Sequence, residues 1–495
     1  MTLAYAFGRS VITDAFVNAY AIPNLILSFI VAATATTYIP VYSSVDADSQ
    51  TRFTNTLLTL FAIIGLVLSL AVFTAPQIFL KLVAWTAATE VFDQSLILMR
   101  YMAWAMIPML ICSILAGNLQ AKSKFFIATA YQLFINAVIV VGILVAKITS
   151  IIPWIGIGVI LGNLVAMAVI VYANRDLRYR PILQLNDLHV KRFFILLAPI
   201  MLSSIVGQLN TIITQNVANS LENHAVSTLG YANKVQGVFT AFIGTAVGTA
   251  FFPAMSKTAS EGDLIGLKDQ IRSSLRVLLP ILIPLTIGIL FLAEPIIRIL
   301  LERGQFNPED TALTATALQF VIFAMFAANI NQMLSRGFFA MQKTKLPAII
   351  SVFTVLLNVI CILIFVGPLQ YRGLALATSI SGMASMVAYY VLLKKELGSL
   401  IIYKVNEWIK LVVATAVLTI IVIGGRNILP LMTGSYLTCL VSLVGLVGVS
   451  VIVYAGLLIV MKTEIAGMVI DMVKNRGKKT EMVGRGCTSQ LTQKF

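Results

Sequence analysis

Thirteen long apolar segments follow one another along the chain, separated by short polar connections. Each segment supplies the roughly 20 apolar residues that a helix needs to cross a hydrocarbon core of about 30 Å. They lie at residues 13–37, 55–74, 95–117, 125–146, 151–173, 193–216, 235–254, 277–297, 314–335, 347–367, 371–392, 408–424 and 439–461. Since a segment in lipid must satisfy its own backbone hydrogen bonds, this pattern predicts an all-α polytopic membrane protein.

Three short sequences recur in the same order in the two halves of the chain. The sequence YIPVYSS at 38–44 recurs as FFPAMSK at 251–257, AKSKFF at 121–126 as QKTKLP at 342–347, and GIGV at 156–159 as GLAL at 373–376. The recurrence predicts two pseudo-symmetric six-helix bundles with a substrate cavity where they meet. Chance repetition of short, lysine-flanked helix ends is the alternative.

The repeat and the apolar segments together predict the domain organisation. We expect an N-terminal transmembrane bundle at 1–180, a C-terminal bundle at 181–400, two appended transmembrane helices at 401–462 and a basic tail at 463–495. Only five complete apolar segments precede residue 180. We therefore expect the first helix to be truncated, with Met1 inside it.

Lys and Arg residues are distributed unevenly between alternate connections. One set of connections carries nineteen of them and the other set eight, and a further seven lie from residue 462 to the C-terminus. Because cytoplasmic loops carry the excess of cations, the richer connections and the C-terminus are predicted to be cytoplasmic.

The amino-acid composition argues against several classes of protein. The chain is 59% hydrophobic and 11% charged, too apolar for a soluble domain. Its net charge of +15 comes from cations flanking apolar segments, where they contact membrane lipids, so we expect no nucleic-acid partner. The two histidines and four scattered cysteines form no metal or catalytic motif, and we expect neither a cofactor nor an enzyme.

Asp14 is the most informative single residue, because an ionisable group beside the first apolar segment is expensive unless it meets water, a cation or a cavity. Two interpretations stay open. In one, Asp14 acts in a substrate cavity; in the other, Thr13 or Asp14 caps a helix at the membrane surface. In the same segment, Pro23 lacks an amide donor, so Pro23 with Asn24 marks either a hinge or a binding position.

Two arginines are candidate ligands for phosphate. Arg276 begins an apolar segment and Arg100 lies within one. Either guanidinium is suited to bidentate bonds with a phosphate group, and the alternative for both is extension towards the membrane interface.

Neutral polar side chains provide further candidates. Gln208, Thr211 and Gln215 share one helix face, a pattern typical of contacts between helices as well as of substrate contacts. Asn358 and Thr378 offer oxygens to a sodium ion, without a neighbouring carboxylate.

Several longer motifs together resemble the MurJ/MviN family of lipid-linked peptidoglycan precursor flippases, within the multidrug/oligosaccharidyl-lipid/polysaccharide exporter superfamily. They are FG, TDAF and PNL within 7–25, GTAFFPAMSK at 248–257 with LR at 275–276, ERGQFNPED at 302–310 and SRGFFAMQKTKLP at 335–347. The resemblance runs from about residue 4 to residue 395. It implies a multi-pass protein of the bacterial inner membrane.

The resemblance also assigns roles to individual residues. It implies that Asp14 is a functional acidic residue, that Arg276 contacts the lipid diphosphate and that Arg100 is a further basic position. The family's basic pair is replaced by residues within 26–28, its following turn by VAAT at 31–34, and its acidic sodium ligands by Thr214 and Ile362. The family's first helix, with its arginines, would precede Met1. Arg9 lies close to these departures, and we expect it to compensate for the lost charge.

The function predicted from these observations is transport of undecaprenyl-diphosphate-linked peptidoglycan precursor, lipid II, to the outer leaflet by alternating access. We expect a monomer driven by membrane potential or by a monovalent cation. Two alternatives stay open. One is a flippase for another polyprenyl-linked glycan, of the capsule, teichoic-acid or O-antigen type, and the other is a cation-coupled drug exporter. An enzyme acting on glycans would need an external catalytic group, for which only Glu302, Glu309 and Asp310 are candidates.

Overall fold

The chain is almost entirely helical in the computed structural model, which describes residues 1–221, 224–341, 343, 345–432, 434–464 and 467. Side chains within these ranges are described except at 27, 29–36, 47–48, 198–204, 206, 245–246, 248–250, 252–254, 256–257 and 260. The helices are α1 (Thr2–Phe7), α2 (Val11–Ser43), α3 (Ala47–Thr74), α4 (Pro76–Ala84), α5 (Thr89–Ala103), α6 (Met106–Ala121), α7 (Phe125–Thr149), α8 (Pro153–Ala173), α9 (Leu188–Asn219), α10 (Ala225–Ser260), α11 (Leu264–Leu301), α12 (Pro308–Ala340), α13 (Lys345–Leu369), α14 (Tyr371–Leu397), α15 (Val405–Ile428) and α16 (Tyr436–Val460).

The predicted all-α polytopic architecture is confirmed. Within the described residues, nine helices are long and apolar enough to cross a membrane, or ten if the bent pair α5 and α6 forms one span. The other three predicted segments lie in α2, α9 and α10, whose side chains are described in part. The predicted tail at 463–495 lies outside the described residues except at 463, 464 and 467.

The helices contribute to two compact units. Unit 1 comprises Met1–Lys234, Leu300–Ala317 and Ala348–Ser381, and unit 2 comprises Val235–Ile299, Leu318–Pro347 and Gly382–Phe495. The pseudo-symmetric bundles at 1–180 and 181–400 stay a prediction.

A bend of 48° separates α5 from α6 in unit 1. The end of a helix leaves carbonyl oxygens without an intrahelical donor, which is expensive when they are buried. Here the buried hydroxyl of Ser69, on α3, donates to the carbonyl of Ala103 at 2.8 Å. The side chain of a neighbouring helix thus stabilises the bend.

Proline is accommodated in a similar way in α11 of unit 2. Pro284 has no amide to bond the carbonyl of Pro280 one turn earlier. The hydroxyl of the buried Tyr454, on α16, donates to that carbonyl at 3.0 Å. The appended helices also pack on α11 through a shared cluster that includes Leu292, Leu418 and Leu446.

The helix α2 likewise runs without interruption through Pro23. Proline removes one hydrogen bond from a helix, and neighbouring turns can continue on both sides. The hinge at Pro23 and Asn24 stays a prediction.

Glycine allows α7 and α8 to touch backbone to backbone. A Cβ at Gly142 would lie 2.8 Å from the Cα of Gly158, and a Cβ at Gly162 would lie 2.8 Å from the carbonyl oxygen of Ile135. Such close approach is a common means of helix association in lipid, where no hydrophobic effect drives helices together.

We therefore expect Gly142→Ala to lower the stability of the purified protein by about 1–3 kcal/mol, because the added methyl group forces the two backbones apart. The measurement is the thermal unfolding midpoint in detergent. Gly445→Ala is the matched control, since a Cβ at this helical glycine meets nothing within 4 Å. Equal midpoints for the two variants would contradict the close contact.

Candidate functional site

Asp14 lies in the first turn of α2 and binds the start of α10. Its Oδ2 is 2.7 Å from Nδ1 of His224, and its Oδ1 accepts a hydrogen bond from the backbone amide of Ser227 at 2.8 Å. The amides at the start of a helix have no intrahelical acceptor, and a carboxylate there is favoured by the helix dipole. Asp14 therefore caps α10, whereas Ser10 caps α2 itself.

A second ion pair lies close by in the same unit. Nη1 of Arg9 is 3.2 Å from Oδ1 of Asp310, and Nε of Arg9 donates to the hydroxyl of Thr228 at 2.6 Å. The two charged side chains are only 5% and 10% exposed. Asp310 also exchanges hydrogen bonds with Asn307 at the start of α12, which cap that helix.

Gly8 joins these two pairs. Its carbonyl accepts hydrogen bonds from the hydroxyls of Thr13, at 2.9 Å, and Tyr231, at 3.0 Å. Its φ is 58°, and a Cβ would lie 2.5 Å from the carbonyl oxygen of Gln305. Glycine is thus required by both backbone conformation and space. We call Arg9, Asp14, His224, Ser227, Thr228 and Asp310 the α2–α10 cluster.

A small pocket lined by both apolar and polar side chains lies in unit 1 further along α2 and α9. Its volume is about 160 Å³. The polar residues that line it are Tyr20, Asn24, Gln208, Thr211, Gln215 and Lys234. The predicted polar face of α9 thus reaches this pocket, and two of its members also bond α2: Gln208 donates to Ser28 at 2.9 Å and Gln215 to Asn18 at 2.8 Å.

Arg276 lies in unit 2. It contacts the residues that precede α15 and those that follow α16. Its Nε donates to the carbonyl of Ile402 at 2.6 Å, and its Nη1 is 3.1 Å from Oε2 of Glu464. The hydroxyl of Tyr403 donates to the carbonyl of Arg276 at 2.5 Å. Glu407 accepts the backbone amide of Glu464 at 3.0 Å, which positions that carboxylate.

The remaining candidates lie apart from these groups. Arg100 is exposed in the last turn of α5 and has no ion pair with a described residue. Asn358 donates to Asn210 and accepts from Ser381, while the hydroxyl of Thr378 donates to the carbonyl of Leu374 in its own helix. Binding of sodium by Asn358 and Thr378 stays a prediction.

Three residues that the sequence did not single out lie at these sites: His224, Glu464 and Lys234. Asp14 and His224 are 210 positions apart, and no local spacing indicates their pairing. Glu464 belongs to the segment predicted to be a tail. Lys234 directly precedes the apolar segment at 235–254, so in the sequence it is one of the cations of the connections.

The ion pair of Asp14 and His224 makes stability depend on pH. The hydrogen bond that His224 donates to the carboxylate of Asp14 raises the pKa of His224 from its usual 6.5, against the opposing effect of burial. Stabilisation by the pair is therefore complete below the usual value and is lost as the pH rises through the raised pKa. We expect the unfolding midpoint to fall across this interval in the wild type.

The variant His224→Gln is expected to lack this fall of the unfolding midpoint with rising pH. His189→Gln, which changes the other histidine, serves as the control and is expected to retain it. Identical slopes for wild type and His224→Gln would contradict the role of the pair.

The comparisons with known proteins agree over most of the chain. A family model described as lipid II flippase MurJ matches residues 3–442. A probable lipid II flippase MurJ of Rickettsia prowazekii (strain Madrid E) is 27% identical over 78% of each chain. One of Rhizobium tropici is 24% identical and covers 96% of this chain and 92% of the relative.

A solved structure shares the fold. It is a lipid II flippase MurJ in an inward closed conformation, with a TM-score of 0.78 at 22% identity, covering 92% of this chain and 94% of that structure. The resemblance indicated by the short motifs is thereby confirmed. Because the family model spans most of its length, the chain belongs to the lipid II flippase MurJ family.

Proposed function

We propose that this protein is a flippase that moves lipid II, the undecaprenyl-diphosphate-linked peptidoglycan precursor, from the inner to the outer leaflet by alternating access. The observation that carries the proposal is the family match over residues 3–442. The apolar helices and this membership make the chain a multi-pass protein of the bacterial inner membrane. The family is one of transporters, not of enzymes.

The charge of the pocket along α2 and α9 supports an anionic cargo. Among the described residues that line it, Lys234 is a cation and none is a carboxylate. An exporter of cationic drugs would need the opposite charge at its binding site, because a buried cation is stabilised only by a compensating partner. The pocket therefore favours the flippase over the drug exporter.

Arg276 also supports an anionic cargo. The diphosphate of the lipid would compete with Glu464 for its guanidinium group. A guanidinium binds a carboxylate and a phosphate through the same donors. While Glu464 lies 3.1 Å from Arg276, a diphosphate must replace that carboxylate to form the equivalent contact. Binding of the lipid at Arg276 thus includes release of the segment that carries Glu464.

The membrane potential is the simplest driving force for such a cargo. Outward movement of an anion is favoured by an inside-negative potential, by about 2.3 kcal/mol per charge per 100 mV. We propose that the potential, or a monovalent cation bound at Asn358 and Thr378, drives the transport cycle. We also propose that the protein is a monomer and that its C-terminus is cytoplasmic. The excess of Lys and Arg residues on the side of the C-terminus supports this orientation.

The test of this function is replacement of a resident lipid II flippase. The protein is expressed in bacteria depleted of their own flippase, and outer-leaflet lipid II is followed together with growth. We expect rescue by the wild type and loss of rescue with Arg276→Ala. Membrane insertion without any outer-leaflet lipid II would reject lipid II as the cargo and leave another polyprenyl-linked glycan.

We expect Glu464→Gln to bind lipid II about threefold to tenfold more tightly than the wild type, because removal of one charge weakens the competing contact. Arg276→Ala is expected to bind it more weakly by at least the same factor. Affinity is measured with purified protein in lipid nanodiscs. Glu396→Gln, which changes a carboxylate paired with Lys343, is the matched control, and equal affinities of Glu464→Gln and this control would contradict the competition.

A further inference from the structure

We infer that a second pocket of unit 1, beneath the connection that follows α8, binds an acyl chain of an anionic phospholipid whose phosphate is bound by Arg175. The pocket has a volume of about 420 Å³. Its walls come from α3, α6, α8 and the residues directly after α8. It shares no lining residue with the pocket along α2 and α9, so the site is separate from the one whose charge supports an anionic cargo.

The pocket lies where the hydrocarbon core meets the headgroups, on the side that carries the excess of Lys and Arg residues. Arg175 follows the end of the apolar segment 151–173 by two residues. Ala62, in the opposite wall, lies seven residues after the start of the apolar segment 55–74, about 10 Å along α3 at a rise of 1.5 Å per residue. The pocket therefore extends from headgroup level into the region that lipid chains occupy.

The walls of the pocket are apolar and its mouth is open. Leu58 and Leu115 are buried at its back, whereas Val171 and Tyr172 are 50% and 71% exposed at its edge. An apolar space of this kind does not hold ordered water, because water needs polar partners. The group available to fill it at this depth is the chain of a lipid.

Arg175 provides a phosphate ligand at the mouth of the pocket. Its side chain is exposed, and its guanidinium carbon lies 5.6 Å from the centre of the Tyr172 ring. The neighbouring carboxylate of Asp176 is bound by Lys122 at 2.7 Å, and no carboxylate lines the described part of the pocket. A guanidinium binds phosphate through parallel, charge-assisted hydrogen bonds. Arg175 is thus placed to hold a headgroup above a chain in the pocket.

The connection that covers the pocket is held in place without a ligand. The side-chain amide of Asn55, on α3, donates to the carbonyl of Arg178 at 3.1 Å. One turn further along α3, the hydroxyl of Thr59 lies 3.2 Å from the hydroxyl of Tyr179. Because these contacts fix the residues around Arg175 before a lipid arrives, the entropic cost of binding is low.

The charges around the pocket favour an anionic lipid over a zwitterionic one. Arg178 and Arg180 are exposed and follow Arg175 in the same connection. Basic pockets between transmembrane helices bind anionic headgroups. Phosphatidylethanolamine carries an ammonium group beside its phosphate, and these guanidinium groups repel it. Phosphatidylglycerol lacks that cation and is therefore the preferred occupant.

The test uses two photoactivatable lipids, phosphatidylglycerol and phosphatidylethanolamine, that carry the same diazirine-bearing acyl chain. Each is added to the full-length protein in phosphatidylcholine nanodiscs, and labelling of the α3 and α6 peptides that line the pocket is quantified by mass spectrometry. We expect about fivefold more labelling by phosphatidylglycerol in the wild type and equal labelling by the two lipids in Arg175→Gln. Arg52→Gln, which changes an exposed arginine at the start of α3 outside the pocket, is the matched control and is expected to retain the preference.

A second pair of variants tests whether the chain enters the pocket. Val171→Trp places a large side chain at the mouth and is expected to lower labelling by both lipids. Val165→Trp changes another exposed valine of α8, outside the pocket, and is expected to leave labelling unchanged.

Three results would overturn the inference: equal labelling of the wild type by the two lipids, a preference for phosphatidylglycerol that persists in Arg175→Gln, or equal labelling of Val171→Trp and Val165→Trp. Displacement of the phosphatidylglycerol probe by undecaprenol would also overturn it, because the pocket would then hold the polyprenyl tail of the cargo.

Discussion

The carboxylate of Asp14 ties the first turn of α2 to the first turn of α10, and the surrounding polar contacts depend on that attachment. One oxygen accepts an amide that would otherwise lack a partner, and the other meets His224. A carboxylate that is only 6% exposed needs both contacts to offset its lost hydration. With α10 fixed in this way, Thr228 lies within reach of Arg9 and Tyr231 within reach of the carbonyl of Gly8.

Charged groups elsewhere in the described chain differ in how fully they are neutralised. Arg9 and Arg276 each have a carboxylate partner, whereas Lys234 has none among the described residues. A paired arginine must exchange one anion for another, while an unpaired lysine gains an anion outright.

The helices were predictable because the need for about 20 apolar residues per span is local and does not depend on tertiary contacts. Every predicted apolar segment coincides, to within two residues at its ends, with part of a helix or of the bent pair α5 and α6. The bend at residues 104–105 was missed, although Pro108 one turn later has no amide to bond the carbonyl of Trp104. Its stabilising partner, Ser69, lies far away in sequence. Asp14 and Arg276 stood out as charges beside apolar segments, but their partners His224 and Glu464 did not. Pairing across hundreds of residues has no local signature.

The length of α11 determines the depth of Arg276 in the bilayer. Thirty-eight residues extend over about 57 Å at 1.5 Å per residue, almost twice the roughly 30 Å of a hydrocarbon core. Counted back from residue 297, where the apolar segment ends, about 20 residues of hydrocarbon core reach residue 278, and Arg276 lies just beyond it. Arg276 thus lies at the level of the lipid headgroups on the side where the helix begins. The contact with a diphosphate that is proposed for Arg276 would therefore form while the headgroup is still at the leaflet surface, so the proposal concerns loading of the cargo and not its crossing.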